Sequence, residues 1–264
     1  KTDEGIRWDS PWSKGRPGWH TECVVMINDR FNDGKIDIHG GGHDLKFPHH
    51  ENEIAQSEAC SGCVFSKYWM HNAFLNIDNK KMSKSLGNFF TVREISEKYD
   101  LQILRFFMLN AHYRSPLNFS ADLMESSKNA LERILTAVDN LKYLSEHAKV
   151  IKLTEEEAQK AEEAKKYEQE FDMAMDDDFN TADAIAAVFE LVKFANTYAK
   201  EGSSKAFAEL LQEKIEGLCK ILGIVTEKKV ELLDEEIEQL IAERQAARKA
   251  KNFARADEIR GLLS

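Results

Sequence analysis

The sequence predicts an α/β region followed by an all-α helix bundle, with the change of character near residue 120. Three observations carry that reading. All four Trp and all four Pro precede residue 120. The same part alternates short apolar stretches with turn-bearing segments, as strands, loops and helices do. Beyond residue 120 come long Glu/Lys/Ala/Leu-rich stretches without proline, which read as helices.

Taken in order, "KIDIHGGG" at 35–42 reads as a short strand running into a glycine loop. "FPHHENEIAQSEAC" at 47–60 reads as a helix opened by Pro48 near its first turn, where a missing N–H is tolerated. "WMHNAFLNIDNKKM" at 69–82 is strand material around an Asp-Asn turn. "FTVREISEKYDLQILRFFMLNA" at 90–111 is helical, with Ile95, Tyr99, Leu101, Leu104 and Met108 as its apolar stripe. Helical stretches follow around 120–147, 154–175, 179–200, 204–222 and 234–263. Asp176, Asp177 and Asp178 are expected to top the helix that begins at Phe179, at the positive end of its dipole. Ligands are expected at the loops that follow strands.

Composition narrows the function. A formal net charge of −10 argues against a polyanion gripped over the whole surface, while leaving room for a local basic patch. The four cysteines, at 23, 60, 63 and 219, are too sparse for a disulfide scaffold and suit a reducing cytoplasm. No apolar run reaches the length of a membrane span, and nothing resembles a secretory signal. The chain opens at Lys1 rather than Met, which is compatible with processing, truncation or a fragment.

The stretch "HGGGHDLKFPHHENE" at 39–53 is rich in metal ligands and in glycine. His49 and Glu53 stand four apart, so on a helix both side chains emerge on one face, within reach of one ion. Cys23, in "GRPGWHTEC", offers a sulfur from an earlier element, and Cys, His and Glu together fit zinc. The HExxH pattern fails, because the position of its second histidine is Ile54. Since zinc takes about four ligands, His39, His43 and His50 are not all expected to bind it. Cys60 and Cys63 form a CxxC without a second pair nearby, and Cys219 is expected in a core.

A second chemistry overlaps the first. Gly40, Gly41 and Gly42 match neither a Walker loop nor GxGxxG, but glycines between a strand and a helix let backbone approach a flat or anionic ligand. Asp44 just beyond suits ribose hydroxyls. "KKMSKSLGN" at 80–88 carries Lys81 and Lys84, which can set ammonium groups on a polyphosphate whose charge grows in a transition state.

Lys81-Met82-Ser83-Lys84-Ser85 matches the KMSKS signature of class I aminoacyl-tRNA synthetases. With "GRPGWHTEC", "HGGGHDLKFPHHENE", "KMSKSLGNFFTVRE", "HYRSPLNFS" and "RQAARKAKNFARADEIRGLL", the chain resembles the cysteinyl-tRNA synthetases over nearly its whole length. The resemblance implies the C-terminal part of a class I Rossmann-like nucleotide-binding domain over 1–119. It also implies a helical tRNA-binding region over 120–264, comprising a bundle at about 154–222 and a C-terminal helix. It implies ATP-dependent activation of cysteine to an adenylate and its transfer to tRNA(Cys), in a cytoplasmic monomer using ATP with Mg2+. One zinc ion would bind Cys23, His49, Glu53 and a further cysteine, and take the substrate thiol. Trp19 would lie against the amino acid, Gly40, Gly41, Gly42 and Asp44 would line the adenylate site, and Lys81 and Lys84 would be catalytic, Lys84 on ATP. This chain departs from the pattern: neither the HIGH-type motif nor the further cysteine occurs in it, so it reads as a fragment. A mycothiol-type cysteine ligase and a non-catalytic zinc- or RNA-binding module are the alternatives.

Overall fold

A computed structural model describes residues 5–31, 35–77, 80–82, 90–227, 232–249 and 252–262. Two compact units emerge, residues 1–224 and 225–264.

The first unit begins with helix α1 (Trp19–Arg30) and strand β1 (Ile36–Gly42). A 3-10 turn (His43–Leu45) and one wide π turn (Lys46–His50) lead into α2 (Glu51–Ser61). Strand β2 (Ser66–Asn72) lies parallel to β1, with Gly40 opposite Met70 and Gly41 opposite His71. The glycines are therefore strand rather than loop. They are paired to the end of β1, and none of the three has a left-handed φ. On β1 and β2, Ile38 and Tyr68 are exposed.

Strands β3 (Leu75–Ile77), β4 (Lys80–Lys81) and β5 (Leu117–Phe119) make a second small sheet, β3 lying between antiparallel β4 and parallel β5. Between β4 and β5 the expected single helix is two, α3 (Val92–Ser96) and α4 (Leu101–Leu109). Asp100 causes the break: its side chain caps α4 by accepting from the Gln102 N–H at 2.8 Å. That restart shifts the helical phase. Phe106 and Phe107 are buried, while Leu101 and Met108, both expected in the apolar stripe, are about half exposed.

Four helices follow: α5 (Ala121–His147), α6 (Glu155–Asp176), α7 (Thr181–Tyr198) and α8 (Lys205–Ile221). Each opens on a capping side chain, respectively Ser120, Thr154, Asn180 and Ser204. Such a cap satisfies an N–H with no partner inside the helix, an effect worth about 1 kcal/mol. Leu131, Ile134, Phe171, Leu191, Leu211 and Ile215 fill the core between them, with Cys219 among them as expected. Phe106 of α4 enters the same core, so the α/β part and the bundle share apolar packing.

Polar contacts fasten the same junction. Arg105 of α4 donates through Nε to the Leu222 carbonyl at 2.8 Å, just past the end of α8. Thr181 donates to the Leu109 carbonyl at 2.8 Å. Asp178 does not cap α7, because Asn180 does. Asp178 (φ 57°) and Phe179 (φ 55°) instead form a left-handed turn. There the Asp178 carboxylate accepts from Tyr113 Oη at 2.7 Å and from the Arg114 guanidinium. Those donors hold its pKa down at about 2. Tyr113 also accepts, through its carbonyl, the Ala73 N–H that follows β2, at 2.8 Å.

In the second unit the expected single helix is again two, α9 (Leu232–Lys249) and α10 (Phe253–Leu262), packed on each other around buried Ile259. Arg255 therefore sits on a different helix from Arg244 and Arg248, so these three basic residues do not follow one another along a single helix. The Arg255 guanidinium is engaged by Glu243 at 3.0 Å and Glu258 at 2.8 Å. No described helix is long and apolar enough to cross a membrane.

Candidate functional site

The carboxyl ends of parallel strands β1 and β2 are where ligands collect in open α/β sheets. Here those ends carry His39, the glycines and His71, with α1 and α2 alongside. The π turn supplies His49 and the first turn of α2 supplies Glu53, and the two meet at one point, as the spacing of four required. Glu53 is fully buried, and His49 and His50 are nearly so. Helix α1 brings Cys23 to the same point, its Sγ lying 3.7 Å from His49 Nε2.

Glu53 is the centre of the site. Oε1 lies 3.1 Å from His49 Nε2, and Oε2 lies 3.0 Å from His39 Nε2. Those separations are of hydrogen-bond length, yet neither oxygen receives an aligned hydrogen bond from any described residue. A buried carboxylate left this way costs free energy unless a charge or donor compensates it. A cation would supply that compensation. The ligand atoms of Cys23, His49 and Glu53 all lie within 4.8 Å of one another, and so do those of His39, His50 and Glu53. The first set combines a thiol, an imidazole and a carboxylate, a donor set that suits zinc.

Electrostatics around Glu53 follow from burial and from its negative charge. The Cys23 thiol is pushed up, mainly by burial and then by the Glu53 carboxylate. A bound cation would reverse that bias, because ligation draws the thiolate form. Burial lowers His39, partly offset by Glu53. Burial also brings His50 down to about 4, helped by the neighbouring charges of His39, His71 and His49. His50 Nδ1 meets His71 Nε2 at 2.8 Å, so at neutral pH one ring donates and the other accepts. His71, also lowered by burial, lies parallel to Trp69, the ring centroids 6.2 Å apart.

Of the residues singled out from sequence, Trp19, Cys23, His49 and Glu53 converge. The Trp19 ring lies 4.2 Å from that of His49 and is about half exposed, at the open side of the cluster. Gly41 adjoins it: a Cβ there would stand 2.7 Å from His50 Cε1 and 3.0 Å from Nε2. A Cβ on Gly42 would meet Asp44 Oδ1 at 2.6 Å, whereas one on Gly40 would meet only the Met70 carbonyl, at 3.6 Å. Two of the three glycines thus make room for neighbouring side chains. Asp44 sits in the 3-10 turn after β1. Lys81 lies in β4, paired with Asn76, and Lys84 lies outside the described residues. Cys60 and Cys63 are free thiols, and neither joins a ligand cluster among the described residues. Sequence reasoning missed His71, and it missed the role of His39 beside Glu53. Both depend on strand register, for which the only local signal is "WMHNA" facing "HGGG".

Residues 1–129 match the family described as tRNA synthetases class I (C) catalytic domain, and residues 170–226 match the DALR domain. The chain is 66% identical over 256 residues to the cysteine–tRNA ligase of Lachnospira eligens, covering 97% of this chain and 54% of that protein. The chain thus carries matches to a class I tRNA synthetase catalytic domain and to a DALR domain. The cysteine–tRNA ligase of Clostridioides difficile is 53% identical to this chain over 256 residues, covering 97% of it and 55% of the relative. The chain spans about half the length of these curated relatives. Among solved structures, a LeuRS–tRNA ternary complex from Agrobacterium radiobacter K84 superposes with a TM-score of 0.64 at 14% identity. It covers 84% of this chain and 33% of that one. A putative arginyl synthetase from Campylobacter jejuni gives 0.59 at 16% identity, covering 82% and 53%. At such identities the likeness establishes the fold: a class I synthetase α/β part joined to a helical bundle.

Proposed function

We propose that this chain is the zinc-bearing and helical portion of a cysteine–tRNA ligase, which activates cysteine with ATP and transfers it to tRNA(Cys). The observation that carries the reading is the cluster of partly buried Cys23 with buried His49 and Glu53, within the stretch that matches a synthetase catalytic domain. Zinc bound there would take a thiol as thiolate, a distinction from serine that shape alone supplies poorly. Trp19, over His49, would flank the amino acid. The ends of β1 and β2, with Asp44, would face the adenylate. Lys81 and Lys84 would act on the ATP phosphates by positioning and charge, with no side-chain nucleophile required. In this division residues 1–119 serve catalysis and 120–264 serve tRNA binding, in the cytoplasm. The DALR match favours tRNA as acceptor over the amino sugar of a mycothiol-type ligase.

Cysteine-dependent ATP–pyrophosphate exchange by the complete protein tests the activity. Lys84→Ala should depress exchange by at least tenfold and leave the thermal midpoint unchanged. Wild-type exchange in that variant removes Lys84 from the mechanism, and no exchange by the complete protein leaves a non-catalytic module.

A further inference from the structure

Glu53 offers two oxygens, and the fold treats them differently. Oε1 lies 3.1 Å from His49 Nε2, and the Cys23 thiol neighbours both His49 and the carboxylate. Oε2 lies 3.0 Å from His39 Nε2, a contact of hydrogen-bond length that a small rotation of the ring would align. His39 is fixed by its surroundings, with Trp69 at 4.7 Å on one side and His50 packed edge-on at 4.8 Å. His50 is in turn committed to His71.

Two roles are open to His39. It could join His50 and Glu53 as ligands of a second cation, since their atoms are close enough. Charge counts against this. Around the first ion a thiolate and the carboxylate balance a dication. The second set has only imidazoles, which ligate as neutral rings, and a carboxylate already shared. A buried dication there would lack compensation. Groups that hold a ligand from behind, by contrast, are a regular part of metal sites and fix the ligand's orientation.

We infer that His39 is a positioning residue: it restrains Glu53 Oε2 so that Oε1 alone is presented beside Cys23 and His49. The inference rests on the zinc reading above. It assigns His39 no contact with the ion and makes Glu53 a one-oxygen ligand.

The test is zinc binding to the 264-residue chain, by competition with a chromophoric chelator, together with Co2+ absorption spectra. His39→Leu keeps the bulk and loses the donor, whereas His39→Gln keeps an N–H donor. Expected are one ion per wild-type chain, affinity 10–100-fold weaker in His39→Leu, and His39→Gln within about threefold of wild type on the same scale. In His39→Leu the Co2+–thiolate charge-transfer band should persist while the ligand-field bands shift, marking an altered carboxylate rather than a lost site. His39→Met replaces His39→Leu if the latter loses its helical circular dichroism. Unchanged affinity in the donor-less variant overturns the inference, and so do two ions per wild-type chain with one lost in that variant. Should Cys23→Ser bind zinc as tightly as wild type, the metal assignment itself fails, whatever His39 does.

Discussion

Gly41→Ala separates the two reasons a glycine can stand in this strand. Its φ is not left-handed, so alanine meets no backbone strain, and relief from glycine's unfolded-state entropy would favour the variant by about 0.4–1 kcal/mol. Against that, the new Cβ lands 2.7 Å from His50 Cε1, about 0.7 Å short of an ordinary contact. The ring cannot swing away freely, because His71 holds it at 2.8 Å and Trp69 packs beside it at 5.2 Å. Overpacking of this kind costs about 1–3 kcal/mol. Loss of the imidazole–imidazole hydrogen bond adds about 0.5–1.5 kcal/mol. The net expectation is destabilisation by roughly 0.5–4 kcal/mol. Gly40→Ala is the internal control: its Cβ finds only the Met70 carbonyl at 3.6 Å, so it should be neutral or slightly stabilising. Urea unfolding of both variants followed by circular dichroism measures the difference, with zinc affinity read on the same samples. Equal stability of the two variants would refute the argument that Gly41 is small for the sake of His50.

Cys23→Ser should weaken zinc binding by the chain at least a hundredfold, because a hydroxyl stays protonated where a thiol would ionise, and chelator competition reads this directly. Asp178→Asn should lower the thermal midpoint at pH 7, since Asn keeps the left-handed turn but loses the charge that Arg114 pairs with. The Asp178 carboxyl is depressed to about 2, so its contribution is complete above the unfolded value near pH 4 and lost as pH falls through 2. The gap between wild type and variant should close over that range, and a gap independent of pH would contradict the ion-pair account. In the complete protein, Arg248→Ala should reduce charging at limiting tRNA and lower the salt slope of RNA binding by about one. Arg255→Ala should act mainly on the α9–α10 packing, because Glu243 and Glu258 already engage it. Identical effects of the two on charging would reject that distinction.

The bundle was legible because its helices are long, lack proline and open on capping side chains that can be read locally. The metal cluster was legible only in part. The spacing of His49 and Glu53 dictates a shared face, and a sulfur ligand from Cys23 completes the chemistry. Other features depend on partners distant in sequence. Helix α1 was not read from "WHTECVVMINDR", where Val24, Val25 and Ile27 disfavour a helix in isolation and packing on α2 overrides them. The two helix breaks, before Leu101 and after Lys249, interrupt stretches that each read as one continuous helix. His39 and His71 enter the site through the pairing of β1 with β2, which no local window contains.

The left-handed turn at Asp178 bears on how this protein can be dissected. The change of texture near residue 120 invites a cut there, to obtain the helices as a portable cassette. Such a cut would strip Asp178 of Tyr113 and Arg114, Thr181 of the Leu109 carbonyl, and Leu222 of Arg105. It would also open the bundle core where Phe106 enters. Tyr113 links the cut ends most directly, its hydroxyl on the helical turn and its carbonyl on the residue just after β2. A graft or deletion that respects the fold therefore carries residues 101–114 along with the helices, or makes its incision after Ile224, between the two compact units.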